Sequence, residues 1–180
     1  MTIGSHQQCI GKSQVHLTPR WILDRLGMFD LDPCAATVRP WDIARRNLVE
    51  ADDGLTAEWL PEEEVYLNPP FDQRQVGQWV DKLKNHGNGL VLLHARTETK
   101  WFRPIWNADL ILFLGQRVVF CKPDGSPCTV TNARTGRVSI ANSGAPVVLA
   151  AFGARSVARL HAANLPGAYV PGSAVDRIAA

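Results

Sequence analysis

Apolar residues along this chain alternate between short unbroken runs and runs spaced for a helix. Thr18-Pro19 opens the first helical stretch, with Thr18 expected as N-cap and Pro19 as the first helical residue. Ile22 and Leu26 fall on one face, Trp21 and Leu23 lie beside them, and Gly27 closes the turn. Phe29–Asp32 reads as a short strand that ends in an Asp32-Pro33 turn. Residues 37–59 show no clear period and predict a long connection with a short helix near 42–47. Val65–Leu67 is a buried strand. Val76, Trp79, Val80 and Leu83 then take i, i+3, i+4, i+7 spacing over 73–85, which predicts an amphipathic helix.

The second half continues the alternation. Leu90–Leu93 is an unbroken apolar run of the kind that parallel sheets bury. Residues 98–107 predict a helix turning Trp101, Phe102, Ile105 and Trp106 inward. Leu110–Leu114, Val118–Cys121 and Val147–Phe152 are three further strands, the first two expected as a tight pair around Gly115. Segment 122–145 is rich in Gly, Pro, Ser, Thr and Asn and reads as a loop or hairpin arm available for interaction. Three units follow from this: a flexible N-terminus over 1–15, an α/β domain over 16–153, and a tail over 154–180. Alternating strands and helices predict a mostly parallel sheet. Ligands bind such sheets beyond the carboxyl ends of the strands, where Asp32-Pro33 and the residues after Leu67 both lie.

Composition narrows the class. A chain of 180 residues with 46% hydrophobic and 20% charged residues describes one ordinary globular domain. Nothing approaches the roughly 18 apolar residues of a membrane span. Met1–Ser13 is polar and lacks a signal-peptide core, which argues against secretion. Cys9, Cys34, Cys121 and Cys128 form no C-x-x-C pair, so free thiols are expected and no metal site. Net charge is only +2, yet the basic residues gather. Arg39, Arg45 and Arg46 form one cluster, Arg96, Lys100 and Arg103 a second, and Arg117, Lys122, Arg134 and Arg137 a third. Of these, Arg96, Lys100, Arg117, Arg134 and Arg137 are the candidates for phosphate contact.

The chemistry concentrates at Asn68-Pro69-Pro70-Phe71. The Asn68 amide is a neutral acceptor, and the prolines stiffen a loop that presents the Pro69 carbonyl as a second. Phe71 offers a flat face, where stacking with a base is worth about 1–3 kcal/mol. Two carbonyls and a ring suit an exocyclic amino group on an aromatic base. An ordinary stiff turn is the plain alternative.

Several motifs recur together here. They are Thr18-Pro19, Leu31-Asp32-Pro33-Cys34-Ala35, Asp53-Gly54-Leu55 with Trp59, Asn68–Phe71, Arg96-Thr97 with Lys100-Trp101-Phe102, and Gly115–Phe120. In that order they resemble the phage and prophage DNA N6-adenine methyltransferase family over roughly residues 16–152. The resemblance implies S-adenosylmethionine as methyl donor, double-stranded DNA as partner and the cytoplasm of a bacterial host as location. It also implies a Rossmann-like, mostly parallel sheet with an antiparallel final hairpin. Asn68, Pro69, Pro70 and Phe71 match the catalytic tetrapeptide. Thr18 and Pro19 match the segment along the methionine part of the cofactor, Asp32 and Pro33 the turn after the first strand, and Asp53 and Leu55 the segment at the cofactor's adenine. The usual Gly-rich turn is replaced by Pro33-Cys34-Ala35-Ala36, and Asp42 or Glu50 would have to serve the ribose hydroxyls. Cytosine N4, a protein glutamine, and a DNA-binding module without cofactor stay open as alternatives.

Overall fold

The computed structural model describes residues 15–72 and 74–172. Flexibility expected of residues 1–14, the thiol of Cys9 and the end of the tail from 173 lie outside the described residues. Seven strands form the main sheet: β1 (Phe29–Asp32), β2 (Ala44–Asn47), β3 (Val65–Leu67), β4 (Gly89–His94), β5 (Leu110–Leu114), β8 (Val147–Phe152) and β9 (Gly167–Pro171). Between β5 and β8 in the chain, strands β6 (Thr129–Thr131) and β7 (Val138–Ile140) make a separate hairpin. Helices α1 (Arg20–Leu26), α2 (Val76–His86) and α3 (Ala154–Ala162) complete the set, with a 3₁₀ helix over Lys100–Asn107.

The sheet order is β2-β1-β3-β4-β8-β5-β9. Strands β1 to β4 are mutually parallel, β8 runs against β4 and β5, and β9 runs against β5. Because side chains alternate across a strand, each apolar run feeds two cores. Leu90 and Leu92 of β4 join Ile22, Leu26, Tyr66 and Leu160 on the face covered by α1 and α3. Val91 and Leu93 join Leu67, Val80, Leu83 and Phe102 on the face covered by α2 and the 3₁₀ helix. Unbroken Leu and Val runs are thus what a strand covered on both faces requires.

Several expectations change. The helix foreseen near 42–47 is strand β2, which pairs parallel with β1 as an edge and buries only Ala44, so its sequence shows no strand pattern. Val118–Cys121 is no sheet partner of β5; Cys121 instead exchanges two backbone hydrogen bonds with Leu17, each 2.9 Å. The antiparallel partners of β5 are β8, joined to it by the whole arm, and β9. Within that arm Val138 and Ile140 are 60% and 63% exposed, while Cys128, Ala141 and Ala145 are buried at its base. The segment from Ala154, read as a tail, supplies α3 and edge strand β9. Burial of Glu64 beneath Arg155 and Arg159 explains why its arginines are structural.

Helix α1 starts one residue later than Thr18-Pro19 implies, with Pro19 as the N-cap. The Thr18 hydroxyl is taken up elsewhere, sharing a 2.8 Å hydrogen bond with the hydroxyl of buried Tyr66. Residues 98–107 are helical only from Lys100 and only as 3₁₀, with Pro104 inside. A proline there removes a donor and opposes an α-helix.

Candidate active site

Parallel strands bring their carboxyl ends to one edge, and the chemistry-bearing residues gather there. Asp32 ends β1, Glu50 follows β2, Asn68 follows β3, His94 ends β4 and Arg117 follows β5. A cavity of about 460 Å³ opens beside the first three. Thr18, Asp32, Pro33, Asp53, Leu55, Asn68, Pro69, Pro70 and Phe71 all line it. Pro19 does not; it caps α1 behind Thr18. Of the two carboxylates considered for a ribose, Glu50 lines the cavity, whereas Asp42 lies outside it and binds Arg39 at 2.7 Å.

Asn68 is the most telling of these. Its Nδ2 donates to the backbone carbonyl of His16 at 2.8 Å. A carbonyl can only accept, so this bond fixes which way the amide points. Its Oδ1 is left buried with no hydrogen-bond partner. An unmet buried acceptor costs about 1–3 kcal/mol, and a ligand amino group would satisfy it. Phe71 follows two residues beyond Pro69, its ring stacked on His94 at 4.4 Å between centroids and 13° between planes. Phe120 meets both rings edge-on, and His16 stands tilted to Phe71 at 6.3 Å. One face of Phe71 is therefore occupied from within the protein, and the residue also lines the cavity.

Asp32 is 7% exposed and accepts a 2.9 Å bond from the Cys34 N–H. Burial pushes its carboxyl up to about 7, against the pull of that bond and of Arg39, with the Asp42 charge adding a little. A buried carboxylate in this condition favours a cationic ligand.

Asp53, Gly54 and Leu55 also line the cavity. Asp53 takes the left-handed conformation at φ 46°, and its carboxylate receives the Thr56 hydroxyl at 2.9 Å. Gly54 lies so close to Pro33 that a Cβ would come 2.0 Å from the Pro33 carbonyl oxygen. Gly54 thus lets the 53–55 segment pack directly on the Pro33 backbone beside Asp32. Behind the loop, Lys82 Nζ donates to the carbonyls of Gly54, Leu55 and Ala57 at 3.2, 2.7 and 2.6 Å and sits 4.6 Å from the Trp59 ring centre. Desolvation lowers its pKa. Trp59 Nε1 adds a 3.0 Å bond to the Gly54 carbonyl.

The five basic candidates separate. Arg96 and Arg117 flank His94 closely enough for their charges to lower its pKa, although burial is the larger cause; the imidazole falls to about 4. Lys100 is exposed at the start of the 3₁₀ helix, and Arg134 and Arg137 are exposed in the turn of the β6–β7 hairpin. None of the five lines the cavity. His16, Lys82 and His94 also belong to the surroundings of the site. No local pattern marks them, because their partners lie far along the chain.

The model of the DNA N-6-adenine-methyltransferase (Dam) family matches residues 12–155. No curated protein and no solved structure matches the chain. The matched stretch holds every cavity residue named above, together with strands β1 to β8, and the chain belongs to the DNA N-6-adenine-methyltransferase (Dam) family.

Proposed function

We propose that the protein moves a methyl group from S-adenosylmethionine to N6 of an adenine turned out of double-stranded DNA. The observation that carries this reading is the unpartnered, buried Oδ1 of Asn68 beside Pro69 and Phe71 in the cavity. Family membership supports adenine methylation of DNA in general; the donor, the turned-out base and a phage or prophage setting in a bacterial cytoplasm are our inference. The order of strands supports a Rossmann-like sheet with β8 reversed.

The cavity suits the donor. Its volume falls in the range of small-ligand sites, and buried Asp32 offers a carboxylate to a molecule with a sulfonium and an ammonium group. Cys34, Ala35 and Ala36 keep the first turn small, and Thr18, Pro33, Asp53 and Leu55 line the same space. Glu50 lines the cavity as well, and in this reading it takes the ribose hydroxyls. When bound, S-adenosylmethionine supplies an electrophilic methyl group on a leaving group that needs no acid.

The chain's own part is to hold the acceptor. Asn68 Oδ1 and the Pro69 carbonyl accept the two hydrogens of the exocyclic amino group. That draws the nitrogen lone pair out of conjugation with the ring. Phe71 stacks on the base and offsets part of the few kcal/mol spent on unstacking it. Asn68 is no base, so the proton lost by the methylated nitrogen passes to water. Alignment supplies most of the acceleration. Arg96, Lys100, Arg117, Arg134 and Arg137 contact the phosphates in this reading.

The test is to incubate the protein with S-adenosylmethionine and unmethylated plasmid DNA, then weigh the digested nucleosides. N6-methyladenine is expected, falling at least ~100-fold in Asn68→Ala, the loss typical of removing one aligned hydrogen-bonding group. N4-methylcytosine would move the same mechanism to another base. No modified nucleoside and no cofactor binding would leave a DNA-binding module instead.

A further inference from the structure

Resting on the methyltransferase reading, we infer that His94 is a positioning residue for the methyl acceptor, its imidazole bracing the rear face of Phe71 so that the front face holds a base in one plane. The two rings lie 4.4 Å apart and 13° from parallel, the geometry of a stack. Phe120 closes the side of the pair, edge-on to Phe71 at 5.8 Å and to His94 at 6.3 Å.

The brace is built on a rigid support. His94 is the last residue of β4, in register with Val147 of β8 at the centre of the sheet. Phe71, by contrast, sits in a loop after two prolines, where no strand holds its backbone. A ring on a loop needs a fixed neighbour if it is to present one orientation, and His94 is the ring that meets it face to face.

No hydrogen bond at Nε2 explains the histidine. Its Nε2 is buried without a partner. Burial beside Arg96 and Arg117 also keeps the imidazole uncharged at neutral pH. The contact this side chain does make is the stack of its flat face on Phe71. The role differs from that of Asn68, which touches the amino group itself; His94 acts through Phe71.

Two substitutions separate the face from the nitrogens. His94→Ala removes the stack, and His94→Phe restores a flat ring while removing both ring nitrogens. With plasmid DNA and S-adenosylmethionine as substrates, His94→Ala is expected to lower kcat/KM for DNA about fivefold to tenfold, the change that a lost aromatic pair corresponds to. Affinity for S-adenosylmethionine should stay within about twofold, which also reports an intact fold, and His94→Phe should recover most of the loss. Full activity in His94→Ala, or equal loss in His94→Phe, would overturn the inference.

A readout without turnover accompanies these. In protein carrying ¹³C-labelled histidine, the His94 ring-proton resonances should lie upfield and return on Phe71→Leu; no movement would reject the stack. Wild type that makes no methylated base while showing the upfield shift rejects the methyltransferase reading, and the positioning role with it. Active wild type with an equally active His94→Ala rejects the role of His94 alone.

Discussion

Asp32 and His94 hold opposite perturbations, and their titrations meet in one pH window. Asp32 is raised from 3.8 to about 7, chiefly by burial. The folded chain therefore keeps a proton that the unfolded chain has released, and this contribution to stability is lost as pH rises from about 4 to about 7. It amounts to no more than about 4 kcal/mol. His94 is lowered from 6.5 to about 4, so its contribution runs the other way, growing as pH rises from about 4 to 6.5. In the wild type the two oppose each other. We predict that urea unfolding of Asp32→Asn shows stability rising between pH 4 and 7 where the wild type is nearly flat. An unchanged profile would mean that Asp32 titrates normally. Cofactor cation beside ionised Asp32 should likewise bind more weakly as pH falls below 7. Local chemistry was legible at this scale: Asn68–Phe71 and Asp32-Pro33 announce themselves within a few residues. The Asn68 to His16 and Thr18 to Tyr66 bonds were not, since neither end carries a mark of a partner some fifty positions away.

Elements were readable wherever burial wrote a period into them. Helix α2 turns Val76, Trp79, Val80 and Leu83 inward, and β4 is apolar along five of its six residues because helices cover both its faces. Strand β2 was misread because an edge strand, Ala44-Arg45-Arg46-Asn47, needs to bury only its alanine. The β6–β7 hairpin was foreseen as an arm, but its exposed Val138 and Ile140 carry the same alternation that a buried strand would. Its turn bears Arg134 and Arg137, which in our reading meet phosphates. Counterion release gives each such contact a salt-dependence slope of about 0.9. Replacing both by Ala should flatten the plot of log affinity for duplex DNA against log salt by about two, with cofactor affinity unchanged. An unaltered slope would place the arm away from the DNA.

Across the whole molecule, the segment after Gly153 is tied to the catalytic half by a buried charge. The Glu64 carboxylate is 0% exposed and receives Arg159 at 2.9 and 2.6 Å, Ser156 at 2.9 Å and Arg155 at 2.9 Å. A buried pair broken outright costs about 3–5 kcal/mol, and losing Arg159 leaves Glu64 only Arg155 and Ser156. Arg159→Met should lose roughly that much in urea unfolding, and a chain ending at Gly153 should fail to fold; a loss below about 1 kcal/mol would restore the segment as a dispensable tail. The sequence hid this because Ala- and Arg-rich composition looks the same on a solvated helix and on one clamped to a buried acid. One further consequence concerns birth rather than function. Strand β8 lies between β4 and β5 although both precede it in the chain. On the ribosome, therefore, β4 and β5 emerge first and cannot pair with each other in the native order. Two leucine-rich edges wait open until residues 147–152 have been made, and slow translation through the arm prolongs the interval in which a nascent chain can stick to its neighbours.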